Sequence, residues 1–505
     1  MLNKTLIKRF VVMFFALALL VIPAVAQDDS SVVIAQGTDA ASLDPQLQND
    51  AFTTSILSNV FDTLIYRTQD LDLVPGLATE WTNVDDTTWE LTLREGVTFH
   101  NGEAFTAEDV EFTLERPLNP DLGSPLSGRF SVIEDVEVVD DLTVRVNTAG
   151  PYPLLPERLS EWFVIPKDYF EANDAAFLSE NPVGTGPYQF VEWVKDTRLV
   201  LEAYADHWRG EPEIQNVTFR PIPETSTRVA ALQSSEVDVI TNVPAFRQAE
   251  FETDDNVEIR AARSTFIQYV ALDGTKNEVL SDERVRQAIR YATNVPEIVE
   301  FLFDGLAEPV DIPLALGTFG YDPTIEGYDY NPALARELLT EAGYPDGISF
   351  AMDAPTGRYA QDAEVAQALV GQWAEAGINV DLNINAWADQ LSKYRDGDAL
   401  VESHFMGWGT STFDADDILF NAFARQPTKN NYSNEEVTSI LEEARSTFDR
   451  GQREQLYSEA LEIINEESPW VPLFQQFDIY GVNADLIWSP RQDQKIEVRT
   501  MSFAG

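Results

Sequence analysis

The chain has 505 residues, 44% of them hydrophobic and 24% charged, with ordinary Pro and Gly and no cysteine. These are globular values in a chain too long for one core, so fibrous and disordered classes are excluded and two or three domains are expected. Its 85 acidic against 34 basic residues give a formal charge of −51, a field that repels nucleic acid and anionic membrane and favours a soluble monomer.

Lys4, Lys8 and Arg9 precede an unbroken apolar run from Phe10 to Ile22, and Ala24-Val25-Ala26 follows. This is the pattern of a secretory signal cleaved after residue 26. The run is shorter than the roughly 20 residues that span a bilayer. Removing it takes three of the 34 basic residues and no acidic ones, which leaves 31 against 85 and a formal −54. With no cysteine to carry a lipid or form a disulfide, the mature protein is expected free in a periplasm or secreted. Thiol chemistry and soft-metal sites are excluded by the same absence.

Val32–Ile34 reads as a short strand broken by Leu43-Asp44-Pro45, and Thr53 to Leu64 has helical apolar spacing. From Trp89 the pattern alternates (Trp89, Leu91, Leu93), turns at Gly96 and Asn101-Gly102, then enters a helix capped by Thr106 with Asp109 three residues on. Val136–Val139 and Leu142–Val146 form a hairpin through Asp140-Asp141. Asn181-Pro-Val-Gly184-Thr185-Gly186-Pro187-Tyr188 lacks the third glycine of a dinucleotide fingerprint and the lysine of a P-loop, so it reads as a turn into a strand. Val217–Arg220, Thr225–Leu232 and Val237–Ile240 read as strand, helix, strand.

Asp282–Ala292 is an amphipathic helix, and a second starts at Asn331-Pro332 and stops at Gly343. Ala363–Ala376 is a further helix ended by Gly377, before a strand at Val380–Ile384. Asn434 caps one late helix, and Asp449 with Gln452 caps the next, which ends near Ser468-Pro469.

Five separated stretches carry a resemblance. They are Trp89–Glu115, Gly184-Thr-Gly-Pro-Tyr188, Tyr204-Ala-Asp-His-Trp-Arg-Gly-Glu-Pro212, Asp282–Ala292 and Phe405–Asp417. In this order and spacing the chain resembles the family 5 solute-binding proteins, extracytoplasmic receptors that serve ABC importers for peptides, nickel or oligosaccharides. The resemblance implies an α/β, two-lobed periplasmic-binding-protein type II fold with an additional inserted small domain, closing on its ligand by a hinge. Lobe I is expected from residues 27–50, 185–266 and 482–505, the inserted domain from 51–184, and lobe II from 267–481. It implies as partners a small solute or oligopeptide and an ABC permease.

His100, His207 and His404 each stand alone, with no metal spacing, no Gly-x-Ser-x-Gly elbow and no specific carboxylate pair nearby. A binding protein without cofactor or metal is therefore expected rather than an enzyme, with a secreted hydrolase as the remote alternative. In peptide-binding relatives an aspartate three residues after the tryptophan of a Gly-Trp motif pairs with the peptide ammonium. Here Trp408 is followed at that distance by Ser411, next to Thr410, and Asp414 matches a second family acid. Either Asp414 takes over as anchor or the ligand is not a free-amine peptide, which leaves oligosaccharides as the rival and a metallophore as a third possibility. Trp408, Trp387, Tyr269 and Tyr359 are the candidate stacking surfaces, and Arg358 the candidate two-pronged partner of a carboxylate.

Overall fold

The computed structural model describes residues 30–396, 399–425 and 432–504; the expected signal segment lies outside them. One eleven-stranded sheet runs through the molecule. Its centre is a pair of long antiparallel strands, Val257–Leu272 and Trp470–Asn483. On one side lie Ser403–Gly409, Ile348–Thr356 and Ile378–Ala386. On the other lie Val239–Ile240, Ser31–Gln36, Asn216–Pro221, Arg198–Ala203 and Tyr188–Val194, and the eleventh strand, Ala307–Pro309, pairs with Trp470–Asn483 off this path.

The two long strands belong to both lobes. Residues 257–263 pair with 477–483, next to a core that includes Val229, Leu232 and Ile240. Residues 267–271 pair with 470–475 and with Ser403–Gly409, between the two large cores of the second lobe. A register shift separates Arg263 from Ile267. An irregularity of this kind bends and twists a strand pair, and here it falls where the chain passes between lobes. That is the hinge.

Local sequence explains the elements. Asp109 accepts from the Thr106 backbone N–H at 2.8 Å and so fixes the start of helix Ala107–Glu115. Asn331 caps Pro332–Glu341 through the Leu334 N–H at 3.0 Å, and Asp449 caps Arg450–Glu467 through the Gln452 N–H at 2.8 Å. The expected helix from Thr53 is shorter, Ala51–Leu57, because the chain turns at Ser58. Val60 and Phe61 still reach the core as the spacing suggests, from the turn rather than the helix.

A second, four-stranded antiparallel sheet has the order Ala78–Asp85, Thr88–Leu93, Thr143–Thr148, Ile133–Asp140. Its own core has buried members from Leu64 to Val164. Buried members of this core occupy the middle of the stretch 51–184. Ile56, Leu57, Val60 and Phe61 before it, and Ile165, Phe170 and Leu178 after it, pack with Val32 and Ile34 of the first lobe. The physical reason is continuity of burial, since a chain leaving a core takes its flanking apolar residues with it.

The Gly184-Thr-Gly-Pro turn lies directly on the Val60 backbone. A Cβ at Gly184 would stand 2.2 Å from the Val60 carbonyl oxygen, and one at Gly186 2.5 Å from its carbonyl carbon. His100 straps this turn: its Nε2–H donates to the Gly186 carbonyl at 2.9 Å and its Nδ1 accepts from the Gly184 N–H at 3.4 Å. That arrangement needs the neutral ring, and burial holds the His100 pKa down to about 4.

Candidate functional site: the cleft between the lobes

The carboxyl ends of the parallel strands Ser31–Gln36 and Val239–Ile240 open onto the space between lobes, the position at which open α/β sheets place their ligands. Two neighbouring cavities that share lining residues occupy that space. The larger, about 900 Å³, is walled by both lobes, with Gln36, Thr241 and Asp478 on one side and Arg358 and Tyr359 on the other. The smaller, about 290 Å³, reaches the small domain at Arg129 and Trp162 and meets Thr410 and Ser411 of the second lobe. Phe266, in the hinge irregularity, borders both.

Two of the expected residues, Arg358 and Tyr359, line the larger cavity, and a third, Trp387, packs against them from behind the lining. The Arg358 guanidinium lies over three rings, 5.1 Å from Tyr359, 5.4 Å from Trp387 and 5.8 Å from Phe266, a cation–π platform. Tyr359 and Trp387 meet edge-on at 6.1 Å. The Tyr359 hydroxyl accepts from the Gly407 N–H at 2.9 Å and donates to its carbonyl at 3.3 Å, which pins the ring to the strand Ser403–Gly409.

The glycines around Trp408 serve this platform. A Cβ at Gly407 would stand 2.9 Å from the Tyr359 ring, and one at Gly409 2.8 Å from the Phe266 ring. Both rings approach the strand closely where it has no side chains. Trp408 points the other way, as alternation along a strand requires, and packs half-buried 6.2 Å from Trp470. Tyr269 is fully buried and stacks on Trp470 at 3.5 Å. Neither Trp408 nor Tyr269 lines either cavity.

Asp414 is also not a cleft residue. Its carboxylate is closed by the Arg453 guanidinium and by the Tyr457 hydroxyl at 2.8 Å, all buried. It therefore does not offer a free charge to an incoming ammonium. Thr410 and Ser411 do face the smaller cavity. Thr410 Oγ1 lies 3.3 Å from Asp417, and the Ser411 hydroxyl accepts from Arg158 of the small domain at 3.3 Å. Arg158 also lies 3.6 Å from Asp417. The position after the Gly-Trp motif is thus answered by a cation from the opposite domain, which suits a neutral residue and not an ammonium acceptor.

Sequence reasoning passed over three cleft residues. Phe266 looks like an ordinary strand aromatic. Arg67, buried at the smaller cavity, donates among the described residues to neutral oxygens, those of Leu71, Ser160 and Thr412, each at 3.1 Å. Asp478 is a single acid in the otherwise apolar and amide run Trp470–Asn483, and that break in pattern was its only signal. Among the described residues no group of three or more His, Asp or Glu could hold a metal, and no helix is long and apolar enough to cross a membrane.

Two lobes joined by a strand hinge around a partly polar cleft define a binding protein of the periplasmic receptor class. Residues 72–430 match the family described as bacterial extracellular solute-binding proteins, family 5, and the chain belongs to that family. The glutathione-binding protein GsiB of Salmonella typhi is 33% identical over 89% of this chain and 90% of its own length. The structure of HbpA2 from Haemophilus parasuis matches with a TM-score of 0.85 at 25% identity, over 94% of this chain and 99% of that one. DppA from Helicobacter pylori, in complex with the peptide STSA, matches with a TM-score of 0.75 at 27% identity, over 94% and 98%.

Proposed function

We propose that this protein is an extracytoplasmic receptor that captures a short, carboxylate-bearing, peptide-like solute between its lobes and presents it to an ABC permease. The observation that carries the reading is the pair of cleft cations without a carboxylate partner among the described residues. Arg358 lies on its aromatic platform in the larger cavity, and Arg67 donates to three neutral oxygens at the smaller one, with the carboxylates of Glu157, Glu161 and Asp493 nearby but beyond ion-pair distance. An arginine so placed gains most from a planar anion that it can meet with two N–H groups. A cavity of about 900 Å³ is of the size that encloses a small molecule. The names of the relatives support the same class, glutathione for the GsiB protein and a tetrapeptide for DppA.

In this reading Tyr359 and Trp387 hold the Arg358 head and offer apolar area, while Thr410 and Ser411 supply hydrogen bonds at the smaller cavity. Trp408, Tyr269 and Asp414 keep the second lobe in shape. The protein acts as a monomer in the periplasm or outside the cell after loss of residues 1–26, and makes or breaks no bond in its solute.

The test is isothermal titration of the purified mature chain with glutathione, with di- and tripeptides and with neutral oligosaccharides. Binding of one of the peptides at micromolar concentration or below, with no heat from the sugars, is the expected result. Binding of a sugar alone would replace the peptide reading with the oligosaccharide one, and turnover of a peptide or glycoside would restore the hydrolase.

A further inference from the structure

The first-lobe wall of the larger cavity holds a polar cluster of opposite character to the arginines. Asp478 stands on the hinge strand opposite Ala262 and is 9% exposed. Both of its carboxylate oxygens accept from a single donor, the Gln494 side-chain amide, at 2.8 and 2.9 Å. No Lys or Arg nitrogen among the described residues lies within ion-pair distance of it. Burial pushes its pKa up to about 6, the response of a carboxylate whose charge is poorly matched by its surroundings.

Two neighbours share that wall. Gln36 and Thr241 end the adjacent parallel strands, one step past the Ala35–Ile240 pair. Gln36 is 2% and Thr241 3% exposed, and both line the same cavity as Asp478. Neither Gln36 Oε1 nor Thr241 Oγ1 has a hydrogen-bond partner among the described residues. Buried polar atoms are nearly always paired, and each exception asks for an explanation. Here two such atoms stand on one cavity wall beside an acid without a counter-charge.

The chemistry that answers all three is a cation with several N–H groups. A protonated amine carries three donors and one positive charge, which matches two neutral oxygens and one carboxylate. A hydroxyl-bearing group could satisfy the hydrogen bonds but would leave the carboxylate charge unmatched at a buried site, where that is costly. We propose that Asp478, Gln36 and Thr241 form the subsite that receives the ammonium group of the solute, across the cavity from Arg358. The inference rests on the receptor reading above and deepens it, because it makes the preferred solute a zwitterion or a peptide with a free amine.

It also shows what the hinge would sense. Asp478 lies on the first-lobe side of the register shift, whereas Arg358 follows the second-lobe strand Ile348–Thr356. A solute held by its ammonium on Asp478 and its carboxylate on Arg358 would tie one lobe to the other.

The experiment uses calorimetric titration of the mature protein with glutathione and trialanine, each as the free amine and as its N-acetyl derivative. Acetylation removes the charge and two N–H donors and leaves the rest of the probe intact. For the wild type, acetylation should weaken binding roughly 10- to 100-fold, the usual range for a hydrogen-bonded charge. In Asp478→Asn that difference should collapse to about threefold or less, through loss of affinity for the amine form and little change for the acetyl form. Circular dichroism establishes that the variant is folded; if it is not, Thr241→Val serves, with a selective loss for the amine probes only. Equal wild-type binding of amine and acetyl forms would overturn the subsite and leave the peptide receptor standing. Binding of oligosaccharide but of no peptide probe would overturn both.

Discussion

Arg453 closes the Asp414 carboxylate from within the second lobe, the arginine from helix Arg450–Glu467 and the aspartate from the turn after the Gly-Trp strand. Tyr457, one helical turn beyond Arg453, completes the cage at 2.8 Å. The pair joins segments about forty residues apart and is almost fully buried. Its role is architectural.

Asp414→Asn should therefore cost stability rather than specificity. Removing one partner of a buried pair leaves the other charge uncompensated, at about 3–5 kcal/mol. A urea titration should show a clearly lower midpoint, while the ratio of affinities for amine and acetyl probes stays as in the wild type. A change in that ratio with an unchanged midpoint would return Asp414 to the cleft.

Arg358→Ala should weaken binding of a carboxylate solute about tenfold or more, since a charge-assisted hydrogen bond is worth about 1.5–3 kcal/mol. Amidating the carboxyl groups of the probe should produce a similar loss in the wild type and add little in the variant. The melting temperature should hardly move, because Arg358 is exposed and its loop is kept by backbone bonds to Asp362.

Gly184→Ala should be among the most damaging single substitutions outside the cleft. The added methyl meets the Val60 backbone at 2.2 Å, and backbone cannot swing aside as a side chain can. Overpacking of this kind costs on the order of 1–3 kcal/mol or more. Gly128→Ala, where a methyl meets nothing within 4 Å, is the matched control, and it should leave the melting curve in place.

Acid should loosen the His100 strap. The folded pKa is depressed to about 4 from 6.5, so the unfolded chain takes up the proton first as pH falls. Stability from the neutral ring is present above pH 6.5 and is lost between 6.5 and 4. Asp416 and Asp478, raised by burial to about 6, work in the other direction. Each favours the folded state as pH falls from 6 towards 3.8. The informative quantity is the difference between the wild type and His100→Gln, which should shrink by about 3 kcal/mol from pH 7 to pH 4. A constant difference would mean that the ring is not held neutral.

Much of the chain could be read from local pattern. Thr106 with Asp109, Asn331 with Pro332, and Asp449 with Gln452 mark helix starts because a cap satisfies donors within the same few residues. The alternation at Trp89, Leu91 and Leu93 marks a half-buried strand for an equally local reason. The five family stretches placed the two-lobed α/β architecture. The ligand wall was less legible. Arg358, Tyr359 and Trp387 do meet, but Phe266, Arg67 and Asp478 come from distant parts of the chain and carried weak signals or none.

By itself, then, the sequence determined the capped helix starts, the alternating strand at Trp89, the stretches that resemble a receptor family and the acidic, cysteine-free composition. All of these are properties of short windows or of composition. Only the tertiary structure decided which way the strands face. Both sides of Ser403–Gly409 are covered by packed residues, so its pattern does not say which side meets the cleft. Pairing of Ile267 with Trp408 settles it, turning the tryptophan into the core and leaving Gly407 and Gly409 as the bare surface on which Tyr359 and Phe266 rest. Charge partnership is decided in the same way, since whether a carboxylate is free for a ligand depends on which arginine the fold brings to it. Arg453 reaches Asp414, and none among the described residues reaches Asp478.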